Sequence, residues 1–290
     1  MTRTQLNLGL LAVAAALGGA VYFSQKKDEP GPPLTPLKSA AVTRIAVEHP
    51  GAPALRLEKR DGQWFLAQPV QAAVDEFEVN ALVALAEVEA KDKLEGAKLA
   101  ELELEPPRYT ITLDDTAIAF GGVEPLQYRR YVKVGDVVAL IEDPPSAALD
   151  KDYADLVAKG LFPASAEIER IQLPKLTIAK ADGKWVLTPP DPRPGADEMQ
   201  KLIDAWKNAR SMWNEQASGL PVKGDRVKVT LKGGEAREFV VAATDPQFKL
   251  HRPDLGVTFV LSKALADDML KLAAPPAMPP PEAEIPAPAQ

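Results

Sequence analysis

The sequence predicts an α+β fold: two tandem copies of a small antiparallel-sheet-plus-helix domain behind an N-terminal transmembrane helix. Three observations predict it. One phrase occurs twice, as Asp61-Gly62-Gln63-Trp64-Phe65-Leu66 and as Asp182-Gly183-Lys184-Trp185-Val186-Leu187. Each copy is followed by a proline-bearing loop, an Asp-led helix signal and a run of alternating strands, and the offset between copies stays near 120 residues. An apolar stretch, residues 6–23, precedes both. The offset is too long for a solenoid repeat of about 20–50 residues, so it reads as a duplicated domain. The expected divisions are 1–27 anchor or signal peptide, 28–41 proline-rich spacer, 42–160 first copy, 161–272 second copy, and 273–290 a disordered Pro/Ala-rich tail.

Residues 6–23 are apolar apart from Asn7 and make up 18 residues, near the minimum for a spanning helix. A retained signal anchor and a cleaved signal peptide are both open readings. Gly18-Gly19-Ala20 would suit a peptidase, whereas Tyr22 and Phe23 sit where an interfacial aromatic belt belongs. The anchor is the favoured reading. It implies a single pass through a membrane, with the large C-terminal part extracytoplasmic. Charge does not orient the segment, because Arg3 stands before it and Lys26, Lys27, Asp28 and Glu29 follow it. Pro30, Pro32, Pro33 and Pro36 then make a stiff extended spacer.

Asp-Gly between two alternating apolar runs is a hairpin signal, since the left-handed conformations of a primed turn suit Asp and Gly. Leu55–Lys59 and Leu176–Lys180 alternate before the turns. After them, Trp64 with Leu66 and Trp185 with Leu187 share strand faces. Trp64 and Trp185 read either as stacking platforms for a ligand or as core residues, and core is favoured. Asp75 with Glu78, and Asp197 with Gln200, are capping-box-like helix starts. The first helix spans about 73–89, with a core-facing stripe of Phe77, Ala81, Leu85 and Val88. The second carries Met199, Leu202, Trp206, Ala209 and Trp213. Trp206 and Trp213 read as core or inter-domain packing before a partner-facing surface. Residues 91–105 read as a charged loop with a helical turn. Strands follow at 109–113, 117–120, 130–134 and 137–141. Ser146 caps a short helix with Leu149, Tyr153 and Leu156, as Ser262 caps one with Leu265, Met269 and Leu272.

The chain has 290 residues, 46% of them apolar and 26% charged, so its middle is globular. A net charge of −7 disfavours nucleic acid as a partner. No cysteine is present, which excludes disulfides, thiolate metal sites and a lipid-modified cysteine anchor. The two histidines, His49 and His251, lie in turn-like contexts without ligand spacing and read as structural. Neither a phosphate-binding glycine loop nor a nucleophile elbow occurs. The expectation is therefore no catalytic residue, no cofactor and no metal. One patch is set apart as a possible ligand or partner contact: Tyr128-Arg129-Arg130-Tyr131 joins cations to aromatics, a pairing that suits anionic or sugar-like groups. Its plain alternative is a strand whose arginines face water.

The hairpin ending in Asp61–Leu66, then Gln68-Pro69-Val70 and Ala73-Val74-Asp75, resembles the bacterial family termed domain of unknown function 4340. Tyr131–Val134, Val138–Ile141 and Leu161-Phe162 fit it as well. The resemblance implies an envelope protein with an N-terminal membrane segment, some of whose relatives are linked to auxiliary subunits of ABC transporters, including those of gliding motility. It brings no catalytic residues. The functional expectation is a non-enzymatic, membrane-anchored binding or scaffolding component of a membrane complex. Its partners are the membrane, through residues 6–23, and an envelope protein. The alternative is an envelope enzyme that acts on glycan or peptidoglycan through converging carboxylates.

Overall fold

The computed structural model describes residues 5, 7, 9, 13–19, 31–142, 152–192, 194–217 and 222–272. In chain order these form β1 (Arg44–Glu48), β2 (Leu55–Arg60), β3 (Gln63–Gln68), β4 (Ala72–Ala73), α1 (Glu76–Val83), β5 (Asp92–Lys93), β6 (Tyr109–Leu113), β7 (Thr116–Val123), β8 (Arg130–Val134), β9 (Val137–Ile141) and α2 (Tyr153–Leu156). There follow β10 (Ile168–Gln172), β11 (Thr177–Ala181), β12 (Lys184–Thr188), α3 (Ala196–Asn208), β13 (Trp213–Gln216), β14 (Asp225–Leu231), β15 (Ala236–Ala243), β16 (Phe248–Arg252), β17 (Val257–Leu261) and α4 (Leu265–Leu270). The fold is antiparallel sheet with a few short helices, α+β as expected.

The chain divides into two compact units, Met1–Val42 with Ala84–Pro144, and Thr43–Val83 with Pro145–Gln290. Compactness and repetition therefore divide it differently. The first hairpin and α1 join the unit that holds the second copy. In the first unit the strands pair in the order β6-β7-β8-β9-β5. Tyr109 stacks on Phe120 there, centroids 4.7 Å apart, among the buried Ile111, Ile118 and Val132. The second unit holds the ladder β4-β3-β2-β1 and the sheet β12-β11-β10-β14-β15-β16-β17-β13. The strand sequence recurs. β3-β2-β1 and β6-β7-β8-β9-β5 have the same order as β12-β11-β10 and β14-β15-β16-β17-β13.

The repeated phrase has a local physical basis. Asp61 and Gly62 take φ of 50° and 82°, and Asp182 and Gly183 take 49° and 79°, the left-handed pair of a primed hairpin turn. Past the turn, Trp64 lies opposite Lys59 and Trp185 opposite Lys180. In both copies the ammonium stands 5.9 Å from the ring centroid. These tryptophans are half-buried under lysine, neither core residues nor bare platforms. Such a pair contributes about 0.5–1 kcal/mol at an exposed site.

Several expectations are corrected. α1 is shorter than 73–89 and gives way to a 3₁₀ turn at Ala84–Glu87. Its buried face is Glu78, Val79, Leu82 and Val83, while Phe77 is 78% exposed. Asp75 does cap it, accepting from the Phe77 N–H at 3.0 Å. In α3 the cap sits two residues earlier than Asp197: Gly195 N–H donates to Glu198 Oε2 at 2.9 Å. Residues 91–105 are not all loop, because β5 pairs with β9. Trp213 is not helical. α3 ends at Asn208, and Trp213 opens β13, which pairs with β17. Asp152 caps α2 by accepting from the Ala154 N–H at 2.7 Å, whereas Ser146 and Leu149 lie outside the described residues. Ser262 contributes its backbone carbonyl, not its side chain, to the start of α4. Most of 6–23 and all of 273–290 also lie outside the described residues. Residues 13–19 are helical, and among the described residues no helix is long and apolar enough to cross a membrane.

His251 sits in β16, not in a turn, and is buried with Nδ1 3.2 Å from Thr258 Oγ1. Burial lowers its pKa from the ordinary 6.5, against the opposing pull of the Val257 backbone contact and Asp254. A lowered folded value means that the unfolded chain binds the proton more readily, so stability rises with pH across that range. The unfolding temperature is expected to hold at pH values above the ordinary 6.5 and to fall as pH drops below it toward the lowered folded value. Melting curves of His251→Gln should lose that part of the slope, while the acid loss due to carboxylates, at lower pH, should persist.

Candidate binding cleft

Within the second unit a cleft of about 810 Å³ opens beside the segment that follows α2. That segment is a strap. Ala158 N–H donates to Ala73 O at 2.9 Å, and Val74 bridges to Val157. On its other side Leu161 N–H donates to Ala209 O at 3.3 Å, and Ser211 N–H to Lys159 O at 2.8 Å. The strap thus joins the β4 end of one ladder to the β13 end of the other sheet through isolated bridges, Val74 to Val157 and Gly160 to Arg210. Buried side chains hold it. Asn214 Nδ2 donates to Ala154 O at 3.1 Å and Val157 O at 2.8 Å, and its Oδ1 accepts from Ser211 Oγ at 2.7 Å. Tyr153 donates its hydroxyl to Leu255 O at 2.9 Å, with Gly256 O at 3.0 Å. Burial, then the charge of Asp152, pushes that phenol above its ordinary value, so it remains a donor.

The floor of the cleft is apolar: Phe65, Leu66, Val74, Leu161, Phe162 and Phe259. Phe162 meets the edge of Phe239 at 5.8 Å, and Phe239 lies 5.5 Å from the fully buried Trp206. The cleft therefore rests on the aromatic core. Its rim is cationic, with Arg60, Lys159, Arg210, Arg237 and Arg252, against the carboxylates Glu76 and Glu235. Most of that charge is committed nearby. Arg237 pairs with Glu235 at 2.9 Å, donates to Leu161 O at 3.0 Å and lies 5.4 Å over the Phe162 ring. Arg252 makes a two-pronged pair with Asp254 at 3.0 and 2.8 Å. Lys159 is 3.5 Å from Asp75, and Arg60 is 3.0 Å from Glu58. Arg210 is exposed and has no ion-pair partner among the described residues. Among the described residues no serine, threonine, histidine or tyrosine lines the cleft.

The sequence-selected patch lies in the first unit, and its residues part company. Tyr128 is 74% exposed. Arg129 is held by Asp92 at 3.0 Å and Glu142 at 3.5 Å. Arg130 is buried, donating to Gly121 O at 3.1 Å with its guanidinium 5.9 Å over Tyr109. Tyr131 is half-buried. The structure does not bring the four onto one surface, nor do the arginines simply face water. Their charge serves the strands around them. Among the described residues no three His, Asp or Glu side chains are placed to hold a metal. The cleft went unread in the sequence because its lining comes from stretches far apart. The nearest signal was Leu161-Phe162, an apolar pair at the boundary between the two expected copies.

A family model described as a domain of unknown function, DUF4340, matches residues 64–253, about two thirds of the chain. The chain belongs to the DUF4340 family. The matched span opens at Trp64 in β3 and closes just past β16, so the DUF4340 unit takes in strands of both sheets and the strap that lines the cleft. No curated protein and no solved structure matches this DUF4340 chain.

Proposed function

We propose that this protein is a non-enzymatic binding component of a membrane complex in the cell envelope. Residues 6–23 anchor it, and its cleft takes a segment of a partner protein. The carrying observation is the cleft's chemistry. An apolar floor under guanidinium groups suits an extended segment bearing apolar and acidic side chains, and among the described residues the lining holds no hydroxyl or imidazole side chain. The helical residues 13–19, with Val13 and Leu17 exposed, are consistent with an apolar helix that finds its cover in lipid. A subunit of an ABC-type exporter is the first partner to seek. The tandem duplication of the domain belongs to this reading, since the matching strand orders are what two copies of one sequence would build.

Arg210 is the position to test, because its charge is available and its side chain is exposed. Arg210→Glu is expected to weaken partner capture from detergent-solubilised membranes at least about tenfold, the scale of losing one charge-assisted contact and adding repulsion. The control is Lys228→Glu, an exposed charge reversal on β14 away from the cleft lining. Equal capture by both variants would sink the cleft as the binding surface. The enzyme reading would have to employ Glu76 and Glu235, the carboxylates in the cleft, and Glu235 is already tied to Arg237.

A further inference from the structure

The two hairpins that carry the repeated phrase differ at their outer edges. β3 is covered by β4, with Phe65 opposite Ala73 and Leu66 opposite Ala72. β12 ends its sheet, and no described strand pairs with its outer edge. The sequence explains the difference. After β3 the chain returns through Gln71-Ala72-Ala73, which has N–H groups to donate. After β12 it runs Pro189-Pro190-Asp191-Pro192, and proline donates none.

The turn decides which groups the open edge presents. A two-residue hairpin loop makes its flanking residues a hydrogen-bonded pair, and such pairs then alternate along the ladder. Ala181 lies opposite Lys184 and Ala179 opposite Val186, so Lys184 and Val186 spend their backbone groups on β11. Trp185 and Leu187 therefore direct N–H and C=O outward. The strand is held firmly in that attitude, since Trp185 Nε1 donates to Gln200 Oε1 on α3 at 3.0 Å. Val186 is 47% exposed beside the edge.

We infer that β12 is a self-association edge, which pairs antiparallel with β12 of a second copy of this chain about a two-fold axis at Val186. The argument is self-complementarity. With Val186 facing its own counterpart, Trp185 meets Leu187 of the other copy and Leu187 meets Trp185. Every outward N–H then finds an outward C=O. Lys184 falls opposite Thr188, so no like charges meet, whereas a register with Lys184 opposite Lys184 would cost stability. Apolar side chains face one another on both sides of the ribbon. Pro189 ends the pairing at a position where continuation would need another N–H. An unprotected edge with this pattern is a template for strand addition, and its charge pattern suits its own copy. This inference does not depend on the cleft.

The chain has no cysteine, which makes the test clean. Directly opposed residues that are not hydrogen-bonded to each other have Cα atoms about 4.5 Å apart, within disulfide range. Full-length Val186→Cys, oxidised mildly in its own membranes, is expected to form a disulfide-linked dimer of this chain. Lys184→Cys alone should yield about tenfold less, because its counterpart lies across the two-fold out of disulfide reach. Co-expression of Lys184→Cys with Thr188→Cys should restore the yield, as those positions are opposed. Equal weak cross-linking of Val186→Cys and Lys184→Cys would overturn the register and the dimer. Cross-linking of Val186→Cys to a different protein would overturn the self-pairing and assign the edge to that partner.

Discussion

Trp206→Ala is expected to lower the stability of the second unit by about 3–5 kcal/mol, the range for deleting a large buried aromatic. Trp206 is fully buried in α3, its Nε1 donates to Met269 O at 2.7 Å, and its ring packs 5.5 Å from Phe239. Removal therefore opens a cavity and strips a carbonyl near the end of α4 of its donor. Trp206→Phe separates the two effects. It keeps an aromatic body and loses the donor, so its cost should be nearer the 1–3 kcal/mol of one unsatisfied buried group, plus a smaller cavity. Urea unfolding followed by far-ultraviolet circular dichroism measures both without relying on the fluorophore removed. Because Phe239 in turn abuts Phe162 in the cleft floor, the alanine variant should also weaken partner capture at temperatures where it remains folded. A loss below about 1 kcal/mol for Trp206→Ala would mean that the site collapses around the gap and that the cleft does not rest on this ring.

Asn214→Ala is expected to cost about 2–4 kcal/mol, more than an ordinary buried hydrogen bond, because one side chain serves three partners. The carbonyls of Ala154 and Val157 and the hydroxyl of Ser211 would all lose it together. Asn214→Asp tests the direction of those bonds. A carboxylate has no hydrogen to give a carbonyl and would face two of them, so it should be at least as damaging as alanine. The strap should respond locally as well as globally. Hydrogen exchange at the Ala158 and Leu161 amides, which bond to Ala73 and Ala209, is expected to accelerate in Asn214→Ala more than exchange at core amides of β14 and β15. Uniform acceleration across the unit would show that Asn214 contributes to global stability alone and does not hold the strap.

What could be read without coordinates was whatever depends on neighbours along the chain. Asp-Gly turns at 61–62 and 182–183 follow from the backbone freedom of those residues. The strands from Leu55 to Leu66 and from Thr177 to Leu187 follow from alternation, and the Asp75 cap from a carboxylate placed before a helix. These are local energies. The same reasoning failed where local signals compete. Phe77 fits a helical stripe as well as Val79 does, and only the burial of Val79, Leu82 and Val83 shows which face turns inward. Gly195 has no side chain, yet it caps α3 because Glu198 reaches back to it. Trp213 continues a helical spacing but leaves the helix to pair with Val260.

The candidate site shows the same division. Its lining comes from β2–β3, the strap, and β15 through β17, stretches separated by most of the chain, and no period links Arg60 to Arg210 or Phe162 to Phe259. The arginines at 129 and 130 looked available in sequence. Long-range partners, Asp92 and Glu142 for one and Gly121 with Tyr109 for the other, decide that they are not. The α+β class, the doubled hairpin and the family were legible in the order of residues, because each rests on backbone preferences and patterns among neighbours along the chain. Tertiary structure alone decided that the first hairpin packs in the same unit as the second copy, that the strap walls a cleft, and which charges within it are already paired. Those outcomes depend on hydrogen bonds and burial between residues distant in the chain, and such pairings leave no periodic trace in the sequence.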